Sequence, residues 1–382
     1  MLVSVDGSSF VVDYKFGFDF CRAIEKCSPK NDYVYISYDG TNFYLFSQDS
    51  EAVVFASHPV EGGKTFNMGV ESPKFVALFK RLYEGSKIKF TPRKNFLLVV
   101  EDNISVKFPA ASYVKQPALP ELSCLRQEDT ESILWLAQSI VTCGGSIGET
   151  PRFSGILIDN TVEGLCRVVK FSETAVRLCA HPTLSLWDDA PWSGARHVLP
   201  FSQSKALQVF KDEVQNFFFS SNMFGYQLRS SVIVLTPKLY DDLPICYADA
   251  LGLQSGVMQI DPAGRKYVFN KKRFLEVLDL VSTVVGTEES LVVFSVSGIG
   301  SSGNPVWSVS AKTHNGCEVQ ELVECLVGGA TDMIPFRVHK NRAINSMKLH
   351  QEHLVFYDKD ETSLVITDET GADVTLLIKA PV

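Results

Sequence analysis

Gly298, Gly300 and Gly303 spell a literal G-x-G-x-x-G, the spacing with which a glycine-rich turn cradles a dinucleotide pyrophosphate. That chemistry needs a helix N-terminus directly after the glycines, where free N–H groups and the helix dipole meet the phosphates. Here the run LVVFSVS precedes them and NPVWSVSAK follows, a second strand pattern opened by proline, so the motif reads as a hairpin loop. His350, Glu352 and His353 are close nitrogen and oxygen donors, but histidines at i, i+3 without a third partner read as a solvated helix end, and no metal is predicted. Asp358, Asp360 and Glu361, and again Asp368, Glu369 and Asp373, sit at turn positions, where carboxylates usually mean a solvated turn. No nucleophile elbow, phosphate loop, paired carboxylates or Cys–His arrangement can be assembled, so the sequence does not read as an enzyme and no cofactor is expected.

What remains with functional spacing is cationic. Arg22, Lys26, Lys74, Lys80, Arg81, Lys205, Lys211, Lys271, Lys272, Arg273, Lys340, Arg342 and Lys348 all fall on or at the ends of predicted helices. A wet helix face carries Lys and Arg as a matter of course, and for any one helix that account suffices. Recurrence on five of six predicted helices, in a chain of formal net charge −8, makes a shared positive surface an equal alternative.

The elements that position these cations form a repeat. Phe66 to Ala110 reads helix, strand, turn, strand: Ser72 is a candidate cap, Pro73 opens the helix, and Phe75, Leu78, Phe79 and Leu82 share one face before Gly85. The order returns from His197, with Leu207, Phe210 and Val214 assigned to a helix, and from Ile334, with Ala343, Ile344 and Met347. Between these copies lie helices from about Phe18 to Lys26, from Asp129 or Thr130 to Cys143-Gly144-Gly145, and from Asn270 to Gly286. Strands are expected at Leu2 to Val5, Ser9 to Tyr14 and Leu251 to Ile260, and Asp39-Gly40 marks a hairpin. The prolines 109, 117 and 120 read as an extended crossing between domains. The fold class is α+β, with three related domains over 1–120, 121–244 and 245–382.

Composition agrees with this size. A chain of 382 residues with 45% hydrophobic and 21% charged residues is globular, and no apolar run reaches the ~18 residues of a membrane span. Asp6 and Asp13 interrupt any secretory signal, and nine cysteines without a CxxC pair read as reduced, cytoplasmic thiols.

Taken together, the chain resembles the β-subunit sliding clamps of bacterial DNA polymerase III, including clamps of bacteriophage type. KFPAASYVKQPALPEL resembles the family's Leu-Pro-x-x-Asp-Phe-Pro-Asn-Leu crossing. FSGILIDNTVEGL and SETAVRL resemble its Asn-Gly-x-Leu and Thr-Asp-Gly-His-Arg-Leu strands, and TPKLYDDLP its Phe-Pro-Asp-Tyr-x-x-x-Leu-Pro exit. The resemblance implies two helices backed by sheet in each domain, and a dimeric ring around duplex DNA that tethers the polymerase and is placed by a clamp loader. It implies a partner-peptide pocket at Phe153, Ser172, Thr174, Arg177, Leu178, Pro237, Asp242, Leu376, Leu377, Ile378, Lys379, Ala380, Pro381 and Val382. The Gly-His pair is missing from SETAVRL, and Ile-Lys-Ala-Pro-Val replaces the usual Met-Pro-Met-Arg-Leu ending. A head-to-tail homodimer is expected through Ile104, Val106 and Phe108 on one side and Leu280 and Val281 on the other. Two alternatives stand beside it: a monomeric DNA-binding processivity factor, and a β-rich interaction or virion protein without a DNA role. No membrane partner is expected.

Overall fold

The computed structural model describes residues 9–27, 30–60, 64–111, 123–124, 130–146, 155–162, 165–172, 175–181, 196–219, 223–237, 239, 265–286, 291–313, 315–328, 331, 333–340, 343–344, 347, 352–358, 363–367 and 373–381. The strands expected at Leu2 to Val5 and Leu251 to Ile260, and the crossing beyond Ala111, lie outside them. The chain divides into two compact units. One takes Met1–Gln138, Asp189–Trp192 and Ser202–Leu239, the other Ser139–Asp188, Ser193–Phe201 and Tyr240–Val382.

The first unit holds a four-stranded antiparallel sheet in the order Phe10–Asp13, Lys87–Pro92, Phe96–Glu101, Ile104–Pro109. Its eight-stranded sheet runs Phe66–Glu71, Tyr33–Tyr38, Asn42–Gln48, Val53–Pro59, Val232–Pro237, Met223–Leu228, Val214–Phe219, Ser123–Cys124. Val34, Ile36 and Tyr38 alternate into the core, the period of a sheet with one buried face. Helix α1 (Tyr14–Cys27) buries Phe16, Phe20, Ala23, Ile24 and Cys27, and α2 (Ser72–Phe79) buries Phe75, Leu78 and Phe79. The two helices approach so closely that a Cβ on Gly17 would lie 2.2 Å from Cε1 of Phe79.

Both helices begin on tertiary hydrogen bonds. The Tyr14 N–H donates to Ser86 O at 2.9 Å and the Ser72 N–H to Asp32 O at 2.8 Å. Ser72 is therefore not the cap: Glu71 holds that position, without a side-chain cap bond. Helix α1 starts four residues before the expected Phe18, because Ser86 O already satisfies an N-terminal donor. Helix α3 (Thr130–Ser146) runs through Gly144 and Gly145 instead of stopping there. Helix α4 (Phe201–Phe210) ends before Val214, which lies in a strand.

The second unit holds a five-stranded sheet, Glu318–Glu324, Pro305–Lys312, Leu291–Ile299, Phe336–His339, Ala380–Pro381. Its eight-stranded sheet runs Arg196–Pro200, Gly155–Val162, Leu165–Phe171, Ala175–His181, Asp373–Ile378, Ser363–Thr367, His353–Asp358, Arg265–Asn270. Helix α5 (Lys271–Val285) packs Phe274, Val277, Leu278 and Val281 into a core with Trp307, whose ring lies 5.0 Å from those of Tyr267 and Phe269. Asn270 accepts from the Arg273 N–H at 3.0 Å as the N-cap, and Gly286 closes the helix at φ +60°. Of the sixth expected helix, Lys340, Ala343, Ile344 and Met347 are helical.

The G-x-G-x-x-G is the loop between paired strands Leu291–Ile299 and Pro305–Lys312. Below it the Glu324 carboxylate accepts from the Ser302 N–H at 3.1 Å and from its hydroxyl at 2.5 Å, which pulls its pKa below the ordinary value. Among the described residues no group of three His, Cys, Asp or Glu could hold a metal, and no helix is long and apolar enough to cross a membrane.

Candidate nucleic-acid interface

Each candidate cation has a definite setting. Arg22 is engaged at several points: Nη2 donates to Glu213 Oε1 at 3.1 Å, and Nη1 lies 3.4 Å from both Glu213 Oε2 and Asp19 Oδ1. Its guanidinium also lies 4.9 Å over the Phe210 ring. Burial raises the pKa of Asp19 beside it, against the opposing charge of Arg22. On α2 and the turn after it, Lys80 pairs with Glu25 of α1, and Lys74 lies 2.6 Å from Glu71. Lys26 and Arg81 are exposed and have no ion pair among the described residues. Lys205 is exposed and Lys211 half-buried.

In the second unit, Lys272 is exposed, Arg273 lies 2.9 Å from Glu321, and burial lowers the ammonium pKa of Lys271. Lys340 is buried and donates to the Gly286 carbonyl. It serves the C-terminal end of α5, where a cation is favoured, and does not face solvent. Arg342 and Lys348 lie outside the described residues.

The helix termini separate decoration from selection. Lys15 lies in the first turn of α1, Lys74 in that of α2, and Lys271, Lys272 and Arg273 in that of α5, and none of these turns contains an acid. A helix N-terminus disfavours a nearby cation by about 0.3–1 kcal/mol; Lys74 and Arg273 are offset there by their pairs with Glu71 and Glu321, whereas Lys15 and Lys272 have no ion pair among the described residues. Lys15, in the first turn of α1, was not among the cations singled out in the sequence, and Tyr83, two residues after Arg81 and past the end of α2, is 72% exposed.

The other expected residues divide. In the second unit, strand Ala175–His181 pairs with Asp373–Ile378, which sets Arg177 opposite Thr375 and Leu178 opposite Val374. Arg177 donates to Thr375 Oγ1 at 2.7 Å. Ser172, Leu178 and Leu377 are buried, and Lys379 Nζ lies 4.7 Å over the Phe336 ring. Leu376 and Ile378 lie on the strand Asp373–Ile378, and Ala380 and Pro381 pair with Arg337 and Phe336. Pro237 ends a strand of the first unit, and Phe153, Thr174, Asp242 and Val382 lie outside the described residues. Ile104 and Val106 are half-buried on the edge strand Ile104–Pro109, and Phe108 is buried. Of the α5 pair only Leu280 faces solvent, because Val281 belongs to the core.

No protein-family model matches the chain, and no curated protein matches it. Solved structures do. It is similar to a DNA polymerase sliding clamp of Pseudomonas aeruginosa at 11% identity and TM-score 0.79, over 98% of this chain and 99% of that one. It is similar to a sliding clamp of Bartonella birtlesii bound to griselimycin at 15% identity and TM-score 0.76, over 98% and 100%. The β subunit of Streptococcus pyogenes matches at 14% and 0.76 over the same shares. At such identities the likeness is one of fold, and this chain has the fold of the DNA polymerase III β sliding clamps.

Proposed function

We propose that this protein is a DNA sliding clamp, a non-enzymatic processivity factor that closes around duplex DNA as a homodimer and tethers a replicative polymerase. The observation that carries this is the clamp fold over 98% of the chain. The basic first turns of α1, α2 and α5 support it: cations kept where the helix dipole opposes them suit sequence-independent contact with phosphates. In this reading the three repeats are domains over 1–120, 121–244 and 245–382, and the ring works in the cytoplasm.

Ring closure would use two sheet edges. Ile104–Pro109 is the edge of the four-stranded sheet and carries Lys107, whereas Glu318–Glu324 is the edge of the five-stranded sheet and carries Glu318, Glu321 and Glu324. Opposite charge on two open edges favours strand addition between subunits, and two such unlike contacts close a dimer. A clamp loader and the polymerase would dock a short peptide along the C-terminal strand Asp373–Ile378, which pairs with Ala175–His181 and is followed by Lys379. Retention on DNA tests the whole reading. Loaded protein should stay on closed circular DNA and leave once the circle is linearised; equal retention on both would refute encirclement.

A further inference from the structure

The loop that follows α2 presents an aromatic ring to solvent on a fixed backbone. Tyr83 is 72% exposed, the most exposed large apolar side chain among the described residues. Its backbone is held at both polar groups: the N–H donates to Oε1 of the buried Glu101 at 3.0 Å, and the carbonyl accepts from the Ser86 hydroxyl at 2.7 Å. Gly85 takes φ +85° to let the chain reverse there, and Ser86 O accepts from the Tyr14 N–H at 2.9 Å, which fastens the loop to α1. The Tyr83 side chain itself makes no hydrogen bond or ring contact among the described residues.

Two cations flank this ring in the chain and across the hydrogen bond to α1. Arg81 is exposed two residues before Tyr83, and Lys15 is exposed directly after Tyr14; neither has an ion pair among the described residues. Lys87, on the next strand, sits opposite Asp13, which offsets its charge. Burial first, and then the charge of Glu84, raises the pKa of Tyr14, so that carboxylate lies toward α1. A singly exposed apolar side chain is ordinary. A ring held in place beside cations without ion pairs is the arrangement that grips a single strand, stacking on a base while the cations take phosphates. The bases inside a duplex are stacked on one another and offer no free face. We propose that Tyr83 stacks on an unpaired base of single-stranded DNA, with Arg81 and Lys15 against the neighbouring phosphates. This rests on the DNA-binding reading above and adds to it a contact that the interior of a duplex cannot make.

The test uses the full chain at low salt and a fluorescein-labelled oligothymidylate of twelve nucleotides, followed by anisotropy. Saturable binding is expected, weakened at least about fivefold by Tyr83→Ala, which loses one stacked base, and kept by Tyr83→Phe, which retains the ring. An abasic strand of equal length should bind the wild type as weakly as the thymidylate binds Tyr83→Ala, and duplex DNA should bind both proteins equally. Absence of thymidylate binding up to about 1 mM, equal binding by Tyr83→Ala, or an equal loss on duplex overturns the proposal. Retention on closed circular DNA tells the two readings apart. Wild-type protein that stays on circles while Tyr83→Ala binds the thymidylate normally refutes the stacking site alone; protein that leaves circles while the thymidylate effect persists refutes encirclement alone.

Discussion

Arg22 and Glu213, 191 residues apart, form a two-point ion pair that ties α1 to the segment following α4. A cation so engaged is a structural clasp before it is a phosphate ligand. Both partners are only partly shielded, at 29% and 34% side-chain exposure, so Glu213→Gln should lower stability by about 0.5–1 kcal/mol in urea unfolding. It should also free Arg22, and DNA affinity at low salt should rise. Unchanged DNA binding would mean that Arg22 does not reach phosphate.

Gly17 is set by the ring of Phe79. Alanine gains up to about 1 kcal/mol in helix propensity over glycine, but its Cβ would fall 2.2 Å from a buried ring. Overpacking of this kind costs about 1–3 kcal/mol, so Gly17→Ala should shift the urea midpoint downward. A midpoint that rises would show that α1 and α2 have room to separate.

The first turn of α5 should show stability and binding in opposition. Lys272→Glu replaces an exposed cation near a helix N-terminus and should stabilise by about 0.3–1 kcal/mol. If Lys272 meets a phosphate, the same change lowers the salt slope of DNA binding by about 0.9. Thermal unfolding and a salt titration read the two effects independently.

Asp39 holds the first hairpin turn. The Tyr44 hydroxyl donates to it at 2.6 Å, and the N–H groups of Asn42 and Thr41 do so at 2.8 Å, which lowers its pKa to about 2. A depressed carboxyl stabilises the fold above its unfolded pKa of about 3.9, and that contribution is lost as pH falls through the folded value. Tyr44→Phe should therefore destabilise at pH 7, with no difference from wild type below about pH 2. Carboxyl NMR should place the Asp39 midpoint near 2 in wild type and higher in the variant.

Deleting Ala380 to Val382 removes the edge pairing to Phe336 and Arg337 but leaves Asp373–Ile378 held between two strands. The dimer should persist by sedimentation while affinity for a polymerase-derived peptide falls about tenfold, or 1.4 kcal/mol. Unchanged affinity with an intact dimer would reduce the tail to a sheet edge.

Local signals in the sequence were sufficient for the periodic elements. The apolar stripe of α5 and the glycine at 286 that ends it agree with the structure, because each depends on residues within a few positions. The start of α1 was not legible, since Ser86 supplies its acceptor from elsewhere in the chain, whereas α2 starts at Ser72, one residue before the Pro73 read from the sequence. Lys340 looked like a surface cation because the carbonyl it serves lies 54 residues away. Val281 was offered as an interface residue although its spacing with Phe274 and Val277 already placed it on the buried stripe.

Val53–Pro59 lies beside Val232–Pro237, and Ala175–His181 beside Asp373–Ile378. A ribosome adding about 5–20 residues per second needs roughly 10–35 s to make the ~170 residues that separate the first pair. Throughout that interval Val53–Pro59, whose first four residues are buried in the finished protein, has no strand to cover its outer edge. A second exposed edge opens at Ala175–His181 and closes only as the last strand of the second eight-stranded sheet emerges. Each half of the nascent chain thus waits on a strand not yet translated, so slowing elongation would lengthen the period of aggregation risk, and a chaperone that shields sheet edges would act during synthesis and not after it.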